Sequence, residues 1–279
     1  MLFVVPLATI VAVTFGTRDA ILQTPVPVWN PANWDTSVLS FTISNLVHSD
    51  GIYYAAFIRT IIYISTATAL CLLIGYPFAY FMARHAGRAK GFFLAIFFAP
   101  FWISYMLRML AWIGLLQDDG YINRALMGLG IIEDPFPWLA GKPVTLIFGL
   151  VYGYVPFMIL PLFASLDRIP ASQLEAGRDL GASPSRTFFR VTLPQSRQAI
   201  LAGVIIAGVP MFGDYFTQQL LANSNNTMML GNFVVDSLQT PVFMSRGAAL
   251  ILVMMAVMLL PVAYYLRSTA REAAARPTR

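Results

Sequence analysis

Two ionisable side chains lie inside long apolar runs of this sequence. Arg108 and Asp214 each lie eight residues before the end of a run, about 12 Å below it by helical rise. Because a charge in an apolar environment is costly, such residues face a partner or a water-filled cavity. The sequence favours pairing of the two or a local polar contact; the alternative is that both belong to a substrate pathway in which Asp214 meets a cationic solute. Trp112, Tyr154 and Tyr215 are candidates to line such a pathway through cation–π contacts, although interfacial anchoring is the commoner role of membrane aromatics.

The composition is that of a membrane protein. Of the 279 residues, 58% are hydrophobic and 11% are charged, whereas a soluble domain carries about 25% charged residues. This excludes an ordinary soluble enzyme, a disordered protein and a free nucleic-acid-binding module. Cys71 is the single cysteine, so no internal disulfide forms and no multi-cysteine metal site exists.

The apolar runs predict an all-α membrane protein with six transmembrane helices in one domain, residues 1–279. A spanning helix needs about 20 apolar residues, and five runs meet that length. A sixth run at the N-terminus is shorter, and we interpret it as a first span because it lacks the basic leader of a signal peptide. The predicted spans are 1–16, 57–83, 92–116, 144–166, 199–222 and 248–266.

The loop charges set the predicted orientation. Residues 84–91, 167–197 and 267–279 hold 12 of the 18 basic residues and four of the 13 acidic ones. Basic residues accumulate on the cytoplasmic side of a membrane protein. We therefore expect both loops, the N-terminus and the C-terminus to lie in the cytoplasm.

The cytoplasmic segment 167–198 is too long for a simple connection. Gly181 is suited to end a helix in a left-handed cap, and Ser183 followed by Pro184 is suited to begin a second helix. The pattern predicts a helix, a glycine turn and a second short helix at the membrane surface. Glu175 and Asp179 are four residues apart and therefore share one face of the first helix.

This loop resembles the EAA loop of ABC importer permeases, whose pattern is Glu-Ala-Ala, three residues, Gly, nine residues, Ile-x-Leu-Pro. Here Gly177 replaces the last alanine and Val191 replaces the isoleucine, at matching spacing. The resemblance implies that the loop docks into a groove of a cytoplasmic ATPase subunit. The coupling residues that it implies are Glu175, Ala176, Gly177, Arg178, Asp179, Gly181, Leu193 and Pro194.

Most of the chain is similar to the polyamine (spermidine/putrescine) branch of these permeases. The residues that carry this similarity are Pro100-Phe101-Trp102, Arg108, Ala111-Trp112, Gly120-Tyr121-Ile122-Asn123, Gly213-Asp214-Tyr215-Phe216 and Met228-Met229-Leu230-Gly231-Asn232. Permeases for iron, sulfate, thiamine or aminoalkylphosphonates share the scaffold, so other solutes stay open. The resemblance implies a multi-pass protein of the bacterial cytoplasmic (inner) membrane.

The resemblance also implies partners: a second permease, as a heterodimer, two copies of an ATPase subunit and a periplasmic binding protein. The sequence has no G-x-x-x-x-G-K-[ST] phosphate loop, so ATP and Mg are expected on the ATPase subunits and no cofactor or metal on this chain. We expect no catalytic residues and no nucleic-acid partner. A secondary transporter would need no EAA loop and would typically show two related halves, and an intramembrane enzyme would need a larger polar cluster.

Overall fold

The computed structural model describes residues 4–19 and 24–275, without the side chains of Arg18, Arg178 and residues 272–275. Residues 1–3 of the predicted first span lie outside the described residues, as do Arg276 and Arg279 of the basic tail. Apart from one antiparallel pair of two-residue strands, the regular structure in these ranges is helical. The strands are Thr17–Arg18 (β1) and Pro25–Val26 (β2).

The α-helices of the described ranges follow one another with short connections. They are Val4–Thr14 (α1), Ser37–Val47 (α2), Tyr54–Arg84 (α3), Lys90–Phe98 (α4), Tyr105–Leu116 (α5), Tyr121–Gly128 (α6), Pro143–Asp167 (α7), Ala171–Asp179 (α8), Pro184–Thr187 (α9), Leu193–Phe212 (α10), Phe216–Leu221 (α11), Leu230–Gln239 (α12) and Met244–Ala275 (α13).

Three helical stretches of the described chain are long and apolar enough to cross a membrane. They are α3, α7 and the segment Pro241–Arg271, which contains most of α13. A fourth candidate is the pair Gly87–Trp102 and Tyr105–Leu116, which is bent by 87°. Helices long and apolar enough to span a membrane are therefore present, whereas the predicted count of six and the orientation stay predictions.

Two predicted spans are not continuous helices, which corrects the sequence interpretation. Span 92–116 is interrupted where Pro100, which has no N–H to donate, lies in a 3₁₀ turn between α4 and α5. Span 199–222 is interrupted between Phe212 and Phe216, where the Asp214 side chain caps the next helix. Of the predicted first span, the described residues are helical from Val4 to Thr14.

The described chain divides into two compact units, each assembled from separate stretches. Unit 1 comprises the described residues up to Tyr63 together with Ile113–Leu146 and Phe212–Pro261. Unit 2 comprises Ile64–Trp112, Ile147–Met211 and the described residues from Val262 onward. The contacts within each unit therefore position a different group of candidate residues.

In unit 1, polar side chains join segments that are distant in sequence. The Thr60 hydroxyl accepts a hydrogen bond from the Leu230 N–H at 2.9 Å, and Arg59 Nη1 donates to the Asn225 carbonyl at 2.8 Å. These bonds satisfy backbone groups where the helical pattern is interrupted. The beginning of α3 is thereby fastened to the segment around α12.

Residues 24–53, before α3, carry local contacts that fix their conformation. The rings of Phe15 and Trp34 stack with centroids 4.5 Å apart, and the Trp34 indole N–H donates to the Val28 carbonyl at 3.1 Å. The backbone N–H of Ser37 donates to the Asp35 carboxylate, as does the Ser37 hydroxyl. These bonds, the backbone one foremost, lower the pKa of Asp35 below its ordinary value.

In unit 2, the helices approach closely around small residues. A Cβ added at Gly203 of α10 would lie 2.6 Å from the Met158 sulfur of α7, so only glycine fits there without a shift. Cys71 of α3 is fully buried, with its Sγ 3.7 Å from the Val151 carbonyl. The core of unit 2 is therefore the close packing of α3, α7 and α10.

Replacing Asn123 tests the polar core of unit 1. Its side chain is fully buried, donates to the carbonyls of Gln117, Asp118 and Phe136, and accepts from the N–H of Phe136 and the indole of Trp138. Since Asn123→Ala leaves these groups unpaired, we expect the free energy of unfolding to fall by about 2 kcal/mol. In a thermal-unfolding measurement in detergent, this corresponds to a melting temperature lower by about 5 °C.

Asn226→Ala is the matched control, because Asn226 is exposed. We expect its melting temperature to stay within about 1 °C of the wild-type value. Equal shifts for the two variants would contradict a structural role for the Asn123 side chain.

Candidate functional site

The predicted helix–turn–helix of segment 167–198 is present. At the end of α8, the Leu180 N–H donates to the Ala176 carbonyl at 3.2 Å and the Ala182 N–H donates to the Gly177 carbonyl at 3.1 Å. Between them Gly181 has φ +78°, a conformation that glycine adopts without steric cost. The first bond is the last regular bond of the helix, and the second, together with the positive φ of Gly181, is characteristic of a left-handed helix cap.

The second helix begins at Ser183 as the sequence predicts. Ser183 Oγ accepts a hydrogen bond from the Arg186 N–H at 3.3 Å, and Pro184 occupies the first helical position. The chain then passes through a π-helical turn, Phe188–Thr192, directly into α10. The loop therefore continues into a core helix of unit 2 without a flexible connection.

An aromatic contact anchors the end of the loop. The Phe188 ring meets Tyr76 and Tyr80 of α3 edge to face, at centroid distances of 5.7 and 5.8 Å. The Tyr76 hydroxyl lies 2.8 Å from Ser196 Oγ, within hydrogen-bond distance. Two turns of α3 thus hold the junction between the loop and α10.

Polar contacts anchor the beginning of the loop. Arg84 Nη1, at the end of α3, donates to the Ile169 carbonyl at 2.9 Å. Lys90 and Asp167 form an ion pair. Gln195 of α10 donates from Nε2 to Gln173 Oε1 of α8 at 2.9 Å. The helix α8 is therefore linked to α10 directly and to α3 through its leading residues.

The predicted coupling residues lie on and around this framework. The side chains of Glu175, Ala176 and Asp179 are exposed. Gly177 is half-buried, and a Cβ there would lie 3.4 Å from the Thr187 side chain. Gly181 and Pro194 are exposed and Leu193 is half-buried; the side chain of Arg178 lies outside the described ones.

Two apolar residues of this surface were not predicted from the sequence. Leu180 is 89% exposed and Phe189 is 64% exposed. A groove of about 230 Å³ lies beside Leu180 and is also lined by Gly177, Ala182, Arg186, Thr187, Arg190 and Val191. The signal in the sequence for this apolar surface was Leu180, an apolar residue directly before the predicted turn at Gly181. The exposed acidic face and this apolar edge together form a surface suited to a protein partner.

Arg108 lies against three aromatic rings of unit 2. Its guanidinium carbon is 4.6 Å from the centroid of Phe101, 5.4 Å from that of Tyr105 and 5.6 Å from that of Tyr152. These cation–π contacts stabilise a charge that has left water. Its Nε and Nη1 are buried and have no hydrogen-bond partner within the described chain.

The structure brings the predicted aromatic Trp112 to the same cluster. Its ring lies 5.2 Å from Tyr152 and 4.6 Å from Phe148 by centroid. Tyr154 lies 6.1 Å from Tyr105. Arg108, Trp112 and Tyr154 are thus connected through rings in unit 2, of which Phe101 and Tyr152 were not predicted. The spacing of Tyr105, three residues before Arg108, was a signal that the two share a helix face.

Asp214 lies in unit 1 and caps a helix. It is 6% exposed, and its carboxylate accepts hydrogen bonds from the Thr217 N–H at 3.0 Å and the Thr217 hydroxyl at 2.6 Å. The Tyr215 carbonyl accepts from Asn232 Nδ2 at 3.3 Å, and the Tyr215 ring stacks on Phe216. Asp214 therefore stabilises the beginning of α11, and its pairing with Arg108 stays a prediction.

No three His, Cys, Asp or Glu side chains of the described residues are grouped as metal ligands would be.

Residues 75–271 match the family model described as "Binding-protein-dependent transport system inner membrane component". The spermidine/putrescine transport system permease protein PotB of Escherichia coli (strain K12) is 33% identical over 195 residues, 70% of each chain. The PotB of Haemophilus influenzae is 32% identical over 232 residues, 82% of this chain and 76% of the relative.

A solved structure has a similar fold. It is a bacterial alginate ABC transporter in complex with an alginate pentasaccharide-bound periplasmic protein. The likeness has a TM-score of 0.62 at 18% identity and covers 84% of this chain and 86% of that chain. At this identity the likeness concerns the fold.

The glycine turn of the loop is open to a direct test. In Gly181→Ala the methyl group meets no neighbour. The turn is therefore destabilised only by the left-handed backbone conformation, by about 1 kcal/mol. We expect tryptic cleavage after Arg186 and Arg190 to become about fivefold faster, because the loop opens more often. Gly91→Ala in α4 is the control: a Cβ there also meets open space, and its φ is not positive. Equal cleavage rates in the two variants would show that the turn does not limit opening of the loop.

Proposed function

Because the chain belongs to the family of inner membrane components of binding-protein-dependent transport systems, we propose that it is a permease subunit of an ATP-driven importer for a polyamine. In this proposal the chain forms a solute pathway together with a second permease. ATP and Mg bind to two copies of a separate ATPase subunit, and this chain hydrolyses nothing. A periplasmic binding protein delivers the solute.

The topology that belongs to this proposal has six spans with both termini in the cytoplasm. The concentration of basic residues in segments 84–91, 167–197 and 267–279 supports it, because such segments are retained on the cytoplasmic side. The two interrupted spans fit as well, since non-helical backbone is tolerated at membrane depth where protein surrounds it.

The coupling role depends on one observation: α8 presents an exposed face while its beginning is tied to α10 directly and to α3 through Ile169. The exposed side chains Glu175, Asp179 and Leu180 are available to an ATPase subunit. The bond between Gln173 and Gln195 and the bond from Arg84 to Ile169 connect the same helix to the bundle. A displacement of α8 on ATP binding would therefore move the ends of the spanning helices.

The relatives named above support a polyamine as the solute. Asp214 supplies a carboxylate, and the rings around Trp112 and Tyr154 supply faces that attract ammonium groups. Other solutes of this scaffold, including iron, sulfate, thiamine, an aminoalkylphosphonate or an acidic oligosaccharide, are the second candidates, and Arg108 is the feature that favours an anion. A secondary transporter is less favoured, because it has no need of the coupling loop.

Replacing Glu175 tests the coupling. In the complex reconstituted with its ATPase subunits and binding protein, we expect Glu175→Gln to lower stimulated ATPase activity about tenfold, the loss of one charged contact at the interface. Membrane insertion and melting temperature should not change. Glu133→Gln replaces an exposed acid in the predicted outer loop and should leave stimulation at the wild-type level. Full stimulation in Glu175→Gln would refute the coupling role of this residue.

Substrate identity follows from the same assay with a solute panel. Stimulation by spermidine or putrescine, and none by sulfate or alginate oligosaccharides, is the expected result. Stimulation by an anion alone would retain the permease assignment and refute the polyamine assignment.

The two roles of Asp214 are separable in Asp214→Asn. The amide oxygen still accepts from the Thr217 N–H, so the cap is largely retained, while the negative charge is lost. If Asp214 faces a cationic solute, the KM for spermidine uptake should rise about tenfold. Asp236→Asn, an exposed acid of unit 1, is the control. An unchanged KM with a lower melting temperature would show that the carboxylate is structural.

A further inference from the structure

A cavity of about 490 Å³ lies in unit 2 beside the coupling loop, and the transport role does not account for it. It is bounded by the end of α7, the beginning of α10 and one residue of α13. Its lining residues are Pro161, Ala164, Ser165, Arg168, Ile169, Gln195, Gln198, Ala199, Ala202 and Tyr265.

The polar part of this wall is rich in hydrogen-bond donors. Arg168 contributes a guanidinium, and Ser165 and Tyr265 contribute hydroxyl groups. No carboxylate is among the lining residues. The acid next in sequence, Asp167, is engaged by Lys90. The cavity therefore favours an acceptor-rich, negatively charged group.

Gln198 points to a missing acceptor. Its Oε1 lies 3.4 Å from the Thr269 hydroxyl, which donates to the Tyr265 carbonyl at 2.8 Å; the other end of the amide carries the donor. That donor, Nε2, is buried and has no acceptor within the described part of the chain. Buried donors without a partner are rare in proteins, so a ligand that supplies an oxygen would complete this site.

The remaining wall is apolar. Pro161 and Ala164 of α7 face the cavity, as do Ala199 and Ala202 of α10. Both helices belong to predicted membrane spans, so an apolar wall next to a basic rim matches a ligand with a charged head and a hydrocarbon part. Basic pockets between membrane helices on the cytoplasmic side bind anionic headgroups in this way.

We propose that this cavity binds a phosphate group, carried either by an anionic phospholipid or by a soluble phosphate compound, through Arg168 and Gln198. The site has a route to the coupling loop: Gln195 lines the cavity and donates to Gln173 of α8. Occupancy would thus stabilise the position of α8 against α10.

The test uses the purified complex and native mass spectrometry. Dioleoylphosphatidylglycerol and dioleoylphosphatidylcholine are titrated separately, and inorganic phosphate is added as competitor. The variants are Arg168→Gln and Gln198→Glu. The second keeps the shape of the side chain and replaces the amide donor by a negative charge, which repels an anion. Arg197→Gln is the matched control, since Arg197 is exposed on the same helix turn and does not line the cavity.

We expect phosphatidylglycerol to bind in preference to phosphatidylcholine. Arg168→Gln and Gln198→Glu should each weaken the binding of phosphatidylglycerol about fivefold, the effect of one charge near a membrane surface. Arg197→Gln should bind as the wild type does. Displacement by inorganic phosphate would identify a soluble compound as the source, and persistence of the lipid would identify the headgroup. Equal retention of both lipids, or equal weakening by Arg168→Gln and Arg197→Gln, would overturn the proposal. Melting temperatures near the wild-type value would exclude misfolding as the cause.

Discussion

The structure depends on the requirement that backbone hydrogen bonds be satisfied wherever a helix stops inside an apolar environment. In hydrocarbon no water pairs with a free N–H or C=O, so an interruption is tolerated only where other groups replace the lost bonds. At the gap between α10 and α11, the Asp214 carboxylate and the Asn232 amide supply them. The same residues that permit the gap therefore place a carboxylate at it, and a structural need produces a candidate binding group.

The coupling loop meets the same requirement by different means. Gly181 and Ser183 satisfy the end of one helix and the beginning of the next, so the short helices need little from the rest of the protein to form. Their positions depend on distant residues, namely Tyr76, Tyr80 and Arg84 of α3. Local chemistry shapes the loop, and tertiary contacts orient it.

This division explains which features could be predicted from the sequence. The long apolar runs and the turn at Gly181 were predictable, because hydropathy and helix caps are read over a few neighbouring residues. The 87° bend between α4 and α5 was not predictable, because hydropathy carries no information about the direction of the backbone. The contact of Arg108 with Tyr152 was also missed, since the two residues are far apart in sequence and belong to different helices. The donor-rich cavity around Gln198 required the side chains of three helices at once.

The anchors of α8 constrain how this loop could transmit motion. A surface helix held by one contact would rotate about it and absorb a displacement. Here the bond from Gln195 to Gln173 joins α8 to α10, while the bond from Arg84 holds Ile169 just before α8 begins. The π-helical turn then continues directly into α10. Because α8 is joined to α10 by the Gln173 side chain and to α7 and α10 through the chain on either side, we expect a displacement of α8 to reach the ends of both helices. In the proposed importer, this connection would join the ATPase subunit to the solute pathway.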